Sequence, residues 1–246
     1  MKKRRRSSVA LARVSSAAGL QLRRTTRGWR LLQHGTVLSE MLARPGPTHS
    51  VFDVLAAATL MHAAAADVAV LGFGGGGTIA ALRALDSGAT IHAVDLDPTG
   101  HRILRRHRCA WLEPLRWQQA EAGTWLEVQA RFDVILDDLS VARDAEVIKP
   151  DLTWDRLPSL VPRHLHRNGI ALFNLLRPRG VSWSRAVACV AQRFPEVRVI
   201  ALDDFENRIV MASRALPPAR TLHAQLKGAL QQLGSWQATR FHVRVA

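Results

Sequence analysis

The run VAVLGF at 68–73 is apolar at nearly every position and ends in glycine, the pattern of a strand covered on both faces in a parallel sheet. GGGGTIAALRAL follows it as a glycine turn opening a helix. ATIHAVDLD is a second strand, and the arginine-rich HRILRRH is the helix after it. A third strand is predicted at 115–119, a fourth in RFDVILDDLS, and a fifth in GIALFNLL after Asn168-Gly169. Helical spacing covers 157–165 and 181–194, and VRVIALDD and NRIVMASR form a terminal strand pair. From about 217 onward, Leu222, Leu226 and Leu230 recur at helical spacing. Strands alternating with helices predict an α/β fold, a Rossmann-like, doubly wound and mostly parallel sheet.

Ahead of this pattern, residues 20–42 read as short strands, with turn signals at Arg27-Gly28 and His34-Gly35. They predict a small N-terminal β-hairpin element over 19–45, closed by the breaker cluster ARPGP. A helix is expected over 51–62. The expected organisation is a basic tail at 1–18, the hairpin element, and one α/β domain over 46–246.

The chain's 246 residues, 48% of them hydrophobic and 22% charged, suffice for a substantial core and exclude global disorder. No uncharged apolar run is long enough to cross a membrane, so no membrane partner is expected. Two distant cysteines, Cys109 and Cys189, argue against a disulfide framework or a cysteine-rich metal site and fit a reducing, cytoplasmic setting. Charge adds something the pattern does not: 34 basic residues oppose 20 acidic ones. No acid precedes Glu40, and ten of the basic residues lie in that stretch. Arg13 breaks the short apolar segment near the start, so 1–18 reads as a solvated tail able to touch nucleic acid rather than as a leader. An arginine-rich chain with only four lysines is also what genomic base bias would produce.

The chemistry-bearing signal is strand, glycine turn, helix, second strand, acid. Gly72, Gly74, Gly75, Gly76 and Gly77 form the turn. Glycine there lets backbone approach a ligand while helix amides point at it, although a glycine turn also serves plain helix–strand packing. Asp95 follows about twenty residues on, at the end of the second strand, where a carboxylate can accept both hydroxyl protons of a ribose. Gly72, Gly74 and Gly77 satisfy the dinucleotide spacing, and no Gly-Lys-Ser/Thr follows, which excludes a phosphate-binding P-loop. Glu121 comes after the third strand, where an acid can accept from an adenine amino group. Asp137 and Asp138 end the fourth strand, and alternation sends their side chains to opposite faces.

In VAVLGFGGGGT, HAVDLDP, AEAGTWLEV, RFDVILDDLS and GIALFNL, together with the leading hairpin, the chain resembles the spermidine-synthase-like branch of the class I S-adenosylmethionine-dependent transferases over roughly 20–214. The resemblance implies that Gly72, Gly74, Gly75 and Gly76 line the cofactor, that Asp95 and Leu96 meet the ribose, and that Glu121 and Ala122 approach the adenine. It implies for Asp138 the role of the acid that orients or deprotonates an attacking amine, within the cofactor's reach. It also implies a homodimer.

The departures shape the expected activity. Polyamine-making members carry an acid where this chain has Gly75. An acid there suits decarboxylated S-adenosylmethionine and repels the carboxylate of the intact cofactor. Ser140-Val141-Ala142 replace the family's Asp-Pro pair, and the chain has no Tyr to build a polyamine pocket. The expectation is intact S-adenosylmethionine and methyl transfer to an amine-bearing, cationic small molecule or peptide. Aminopropyl transfer to a polyamine from the decarboxylated cofactor is the alternative, and a nucleic-acid-binding protein with a vestigial cofactor site is a third reading. No Asn/Asp-Pro-Pro-aromatic segment follows the fourth strand, as it does in many nucleobase amino-methyltransferases. His164 and His166 lack a third ligand, so no metal is expected. The polar stretch 141–157, with Asp144, Glu146, Asp151, Trp154 and Asp155, is expected to be a lid whose acids suit a cationic acceptor. Trp111, Trp117 and Trp125 are expected in the core or the cofactor wall.

Overall fold

The computed structural model describes residues 20–62, 67–143 and 146–246, so the predicted basic tail lies outside the described residues. Strands β1 (Leu20–Arg24), β2 (Gly28–Gln33) and β3 (Thr36–Leu42) form an antiparallel sheet in the order β1-β2-β3. The predicted hairpin element thus has three strands, one on either side of each turn signal. His34 and Gly35 both adopt positive φ, as a two-residue turn between twisted strands requires. Helix α1 (Val51–Thr59) is capped by the Ser50 hydroxyl, and the Asp53 carboxylate accepts from the Thr48 and His49 amides just before it. Every residue of α1 is buried.

The rest of the chain alternates as the pattern predicts: β4 (Asp67–Leu71), α2 (Gly77–Ala84), β5 (Thr90–Asp95), α3 (Thr99–Arg106), β6 (Leu115–Gln119), α4 (Ala122–Glu127) and β7 (Phe132–Asp137). Then come a short antiparallel hairpin, β8 (Val141–Arg143) with β9 (Glu146–Ile148), and helices α5 (Asp151–Asp155) and α6 (Leu157–Leu160). The chain closes with β10 (Leu165–Leu175), α7 (Trp183–Ala191), β11 (Glu196–Leu202), β12 (Arg208–Ser213), α8 (Ala219–Leu233) and β13 (Phe241–Val245). The eight-stranded sheet runs β13-β11-β12-β10-β7-β4-β5-β6. Strands β6, β5, β4, β7 and β10 run parallel to one another, whereas β12 is antiparallel to both β10 and β11.

Strand alternation builds a core on each face. Val68 and Val70 of β4 face α1, α2 and α8, packing with Leu55, Leu82 and Leu226. Ala69 and Leu71 face the other layer, with Leu126, Phe173 and Val190. Met41 of β3 belongs to the first core, so the N-terminal sheet is pinned to the α/β layers. From β4 the chain winds outward to β5 and β6; from β7 it winds the other way to β10. The carboxyl ends of β4 and β7 therefore flank the switch point, where doubly wound sheets open a crevice. Strand β13 is an unpredicted addition at the edge, since only Phe241 of its five residues is buried. The expected lid is partly regular, with its strands and α5 between β7 and β10.

Candidate active site

The glycine turn after β4 is shaped by close backbone contacts. Gly72 has φ of +92°, and a Cβ there would lie 2.7 Å from the Asp138 carbonyl oxygen. Its amide donates to the Val94 carbonyl at 2.9 Å, while the Asp138 amide donates to that of Leu71 at 2.8 Å. The ends of β4, β5 and β7 are thereby tied together. Gly74 has φ of +52° and donates its amide to Asp95 Oδ2 at 2.8 Å. Gly72 and Gly74 line the crevice with Phe73. Gly75 and Gly76 face elsewhere. A Cβ on Gly75 would overlap the Met41 side chain, and one on Gly76 would press on Phe73 and Leu104.

The crevice has a volume of about 810 Å³. Asp95, Leu96, Glu121, Ala122 and Asp138 all reach it. Asp95 is part-buried at the end of β5. Its Oδ1 accepts from the Asp97 amide at 3.0 Å. Burial pushes its carboxyl up, and the amides of Asp97 and Gly74 work against that shift. Leu96 is 63% exposed, an apolar side chain held open on the crevice rim. Glu121 is the N-cap of α4, with carboxylate oxygens accepting from the Gly123 amide (2.8 Å), the Thr124 amide (2.7 Å) and the Thr124 hydroxyl (2.7 Å). Burial raises its carboxyl, but the Thr124 and Gly123 groups and Arg156 outweigh burial and the net shift is downward. In this structure, then, the carboxylate is committed to capping α4.

Asp138 follows β7, and its Oδ1 accepts from Asn174 Nδ2 at 2.7 Å. Asn207 Nδ2 in turn donates to Asn174 Oδ1 at 2.9 Å. Burial, reinforced by the Asp137 and Asp95 carboxylates and opposed by Asn174 and Lys149, pushes the Asp138 carboxyl up to about 7. Asp137 points away from the crevice, as alternation predicts, and is fully buried. It accepts from Lys149 Nζ at 2.8 Å, Thr153 Oγ1 at 3.1 Å and the Leu139 amide at 3.0 Å. This ion pair fastens the segment after β9 to the end of β7. Pro150 and Leu152 of that segment, with Val141 of β8, wall the crevice on one side, and Gln33, His34, Leu38 and Ser39 of the N-terminal sheet wall it on another.

Sequence reasoning missed several of these residues. Asn174 left a signal: it is a polar residue inside the apolar strand GIALFNLL. Lys149 and the residues of β2 and β3 left none, since only the tertiary fold brings them here. Of the expected lid acids, Glu146, Asp151 and Asp155 do not line the crevice, and Asp144 lies outside the described residues. Glu146 pairs with Arg179 at 2.6 Å and Asp151 with Arg143 at 3.7 Å. Trp125 is buried against Phe132, and Trp117 stacks on His101 with ring centroids 4.3 Å apart. No tryptophan lines the crevice. His164 Nδ1 lies 3.1 Å from the Gln129 carbonyl, and no group of three metal-binding side chains occurs among the described residues. No helix among them is long and apolar enough to cross a membrane.

The residues around the crevice fit an adenosyl cofactor: a turn without Cβ atoms at Gly72 and Gly74, a carboxylate at the end of β5, and apolar Leu96, Ala122 and Leu139 for a flat base. Solved structures share the architecture. A probable spermidine synthase from Corynebacterium glutamicum superposes with a TM-score of 0.70 at 18% identity, covering 91% of this chain and 86% of that one. The fold is that of the spermidine synthases and class I methyltransferases. A spermidine synthase in complex with the transition-state analogue AdoDATO gives 0.61 at 16% identity, over 82% of this chain and 71% of that one. Human methyltransferase-like protein 13 in complex with SAH gives 0.58 at 16% identity, over 76% and 92%. No family model matches the chain, and no curated protein matches it.

Asp95→Ala is expected to weaken the binding of an adenosyl cofactor by about tenfold or more, because it removes a hydrogen-bonding carboxylate from the crevice. Isothermal titration of the cofactor against the variant checks this.

Proposed function

We propose that this protein is an S-adenosylmethionine-dependent transferase that methylates an amine on a small molecule or peptide. The observation that carries the reading is Asp138, held by Asn174 and Asn207 within the crevice that also presents Asp95 and the glycine turn. S-adenosylmethionine, when bound, would supply a methyl carbon activated by the adjoining sulfonium, whose sulfur would leave with the carbon–sulfur bonding pair as a neutral thioether.

The chain's own residues then do three things. Gly72 and Gly74 admit the cofactor closely, and Asp95 meets its hydroxyls. Asn174 holds one Asp138 oxygen and leaves the other to take the proton that the amine sheds as its nitrogen bonds to carbon. An acid with a pKa of about 7 is far better matched to that transfer than an ordinary aspartate. The walls from the N-terminal sheet and the segment after β9 limit water.

Gly75 supports methyl over aminopropyl transfer. Position 75 has no carboxylate, and the space for one is filled by Met41. The reading of the decarboxylated cofactor draws its support from the likeness to spermidine synthases.

Thermal unfolding with S-adenosylmethionine, its decarboxylated form, the demethylated product and NAD, side by side, separates these readings. A ligand at about 100 times its Kd adds roughly 2.7 kcal/mol. Stabilisation by the intact cofactor and its demethylated product is expected. A preference for the decarboxylated form would shift the reading to aminopropyl transfer, and silence from all of them would remove the enzyme reading.

A further inference from the structure

A second cavity, of about 560 Å³, lies behind the wall of the first. The segment after β7 is shared between them. Val141, Pro150 and Leu152 line the crevice, whereas Arg143, Lys149 and Trp154 line the second cavity. Its far side is formed by the stretch after β10 and by α7, which contribute Arg177, Arg179 and Arg185.

Among the described residues, five cations therefore surround this space, against one lining carboxylate, Asp151. Three of the five are engaged: Lys149 with Asp137, Arg179 with Glu146, and Arg143 near Asp151. Arg177 and Arg185 form no ion pair among the described residues and are exposed, so they keep their hydrogen-bond donors for a ligand. Like charges around a concavity raise its positive potential and concentrate anions there. Guanidinium groups match the paired oxygens of phosphate and carboxylate. Ile148, Leu176 and Ala186 supply apolar lining, and the Trp154 ring offers a flat face.

We propose that this cavity binds a small organic anion, a phosphate or carboxylate carried on a flat apolar body, separately from the cofactor crevice. The test uses phenyl phosphate and benzoate as probes, titrated into the full chain by calorimetry at constant ionic strength, with inorganic phosphate for comparison. Saturable binding is expected, tighter for the aromatic phosphate than for inorganic phosphate. Whichever of phenyl phosphate and benzoate binds tighter identifies the anionic group.

Arg177→Ala and Arg185→Ala are each expected to weaken binding about tenfold, the loss of one charge-assisted hydrogen bond. Both side chains are exposed, so the variants should melt like the parent. Arg220→Ala removes the same charge from the exposed surface of α8 and should change nothing. The proposal is overturned by an absence of saturable binding, by unchanged affinity in the Arg177→Ala/Arg185→Ala double variant, or by an equal loss in Arg220→Ala.

Discussion

Asp138→Asn is expected to bind S-adenosylmethionine within about twofold of the parent and to lose about 10²- to 10⁴-fold in kcat, the range for removal of a positioned general base. Asparagine keeps an oxygen to accept from Asn174, so the Asp138–Asn174–Asn207 chain survives and only the proton-accepting capacity goes. The pH profile supplies a second reading. In the proposed reaction the carboxylate is the active form, and burial pushes its pKa up to about 7, so kcat/KM should rise with pH through about 7 in the parent and lose that limb in the variant. Stability moves in the opposite sense. The folded protein holds a proton on Asp138 that the unfolded chain releases near pH 4, so this contribution is complete below about 4 and fades as pH rises through about 7. Asp138→Asn should flatten that slope. Cofactor affinity lost as severely in Asp138→Asn as in Asp95→Ala would end the division of roles between the two acids.

Lys149→Met is expected to destabilise the fold by about 3–5 kcal/mol. The lysine ammonium and the Asp137 carboxylate are 2.8 Å apart, with side-chain exposures of 2% and 0%. Removing the cation strands a carboxylate in the interior, its remaining partners being the Thr153 hydroxyl and the Leu139 amide. For a chain of this length the loss corresponds to a fall in Tm of roughly 6–20 °C. The double variant Asp137→Asn/Lys149→Met should recover most of it, because the stranded charge is gone. Thermal melts of the three proteins decide the matter. A single variant within about 1 kcal/mol of the parent would mean that water reaches Asp137 in solution and that the segment after β9 is not fastened there.

The strands that build the crevice were the easiest elements to read. β4, β7 and β10 are covered on both faces, so their apolar residues run consecutively instead of alternating, and few other elements produce that pattern. The turn and Asp95 were legible for a related reason: glycine at positive φ and an acid one strand later are local features. Other parts were hidden by distance along the chain. Glu121 follows β6 and reaches the crevice, yet its cap to Gly123 and Thr124 depends on where α4 begins. Lys149 reaches Asp137 across twelve residues of hairpin and turn. Strand β13 offered five residues with one buried side chain, too little for any period to register.

The contact between Met41 and Gly75 has a historical consequence. Met41 is fully buried in the first core, and its side chain occupies the volume that any side chain at position 75 would need. An acid introduced there first would push β3 off the glycine turn, and a shortened residue 41 introduced first would leave a cavity in the core. Either order passes through a less stable chain, so the two positions are bound to change together or not at all. Met41 thereby keeps position 75 free of a side chain, and it does so from outside the crevice.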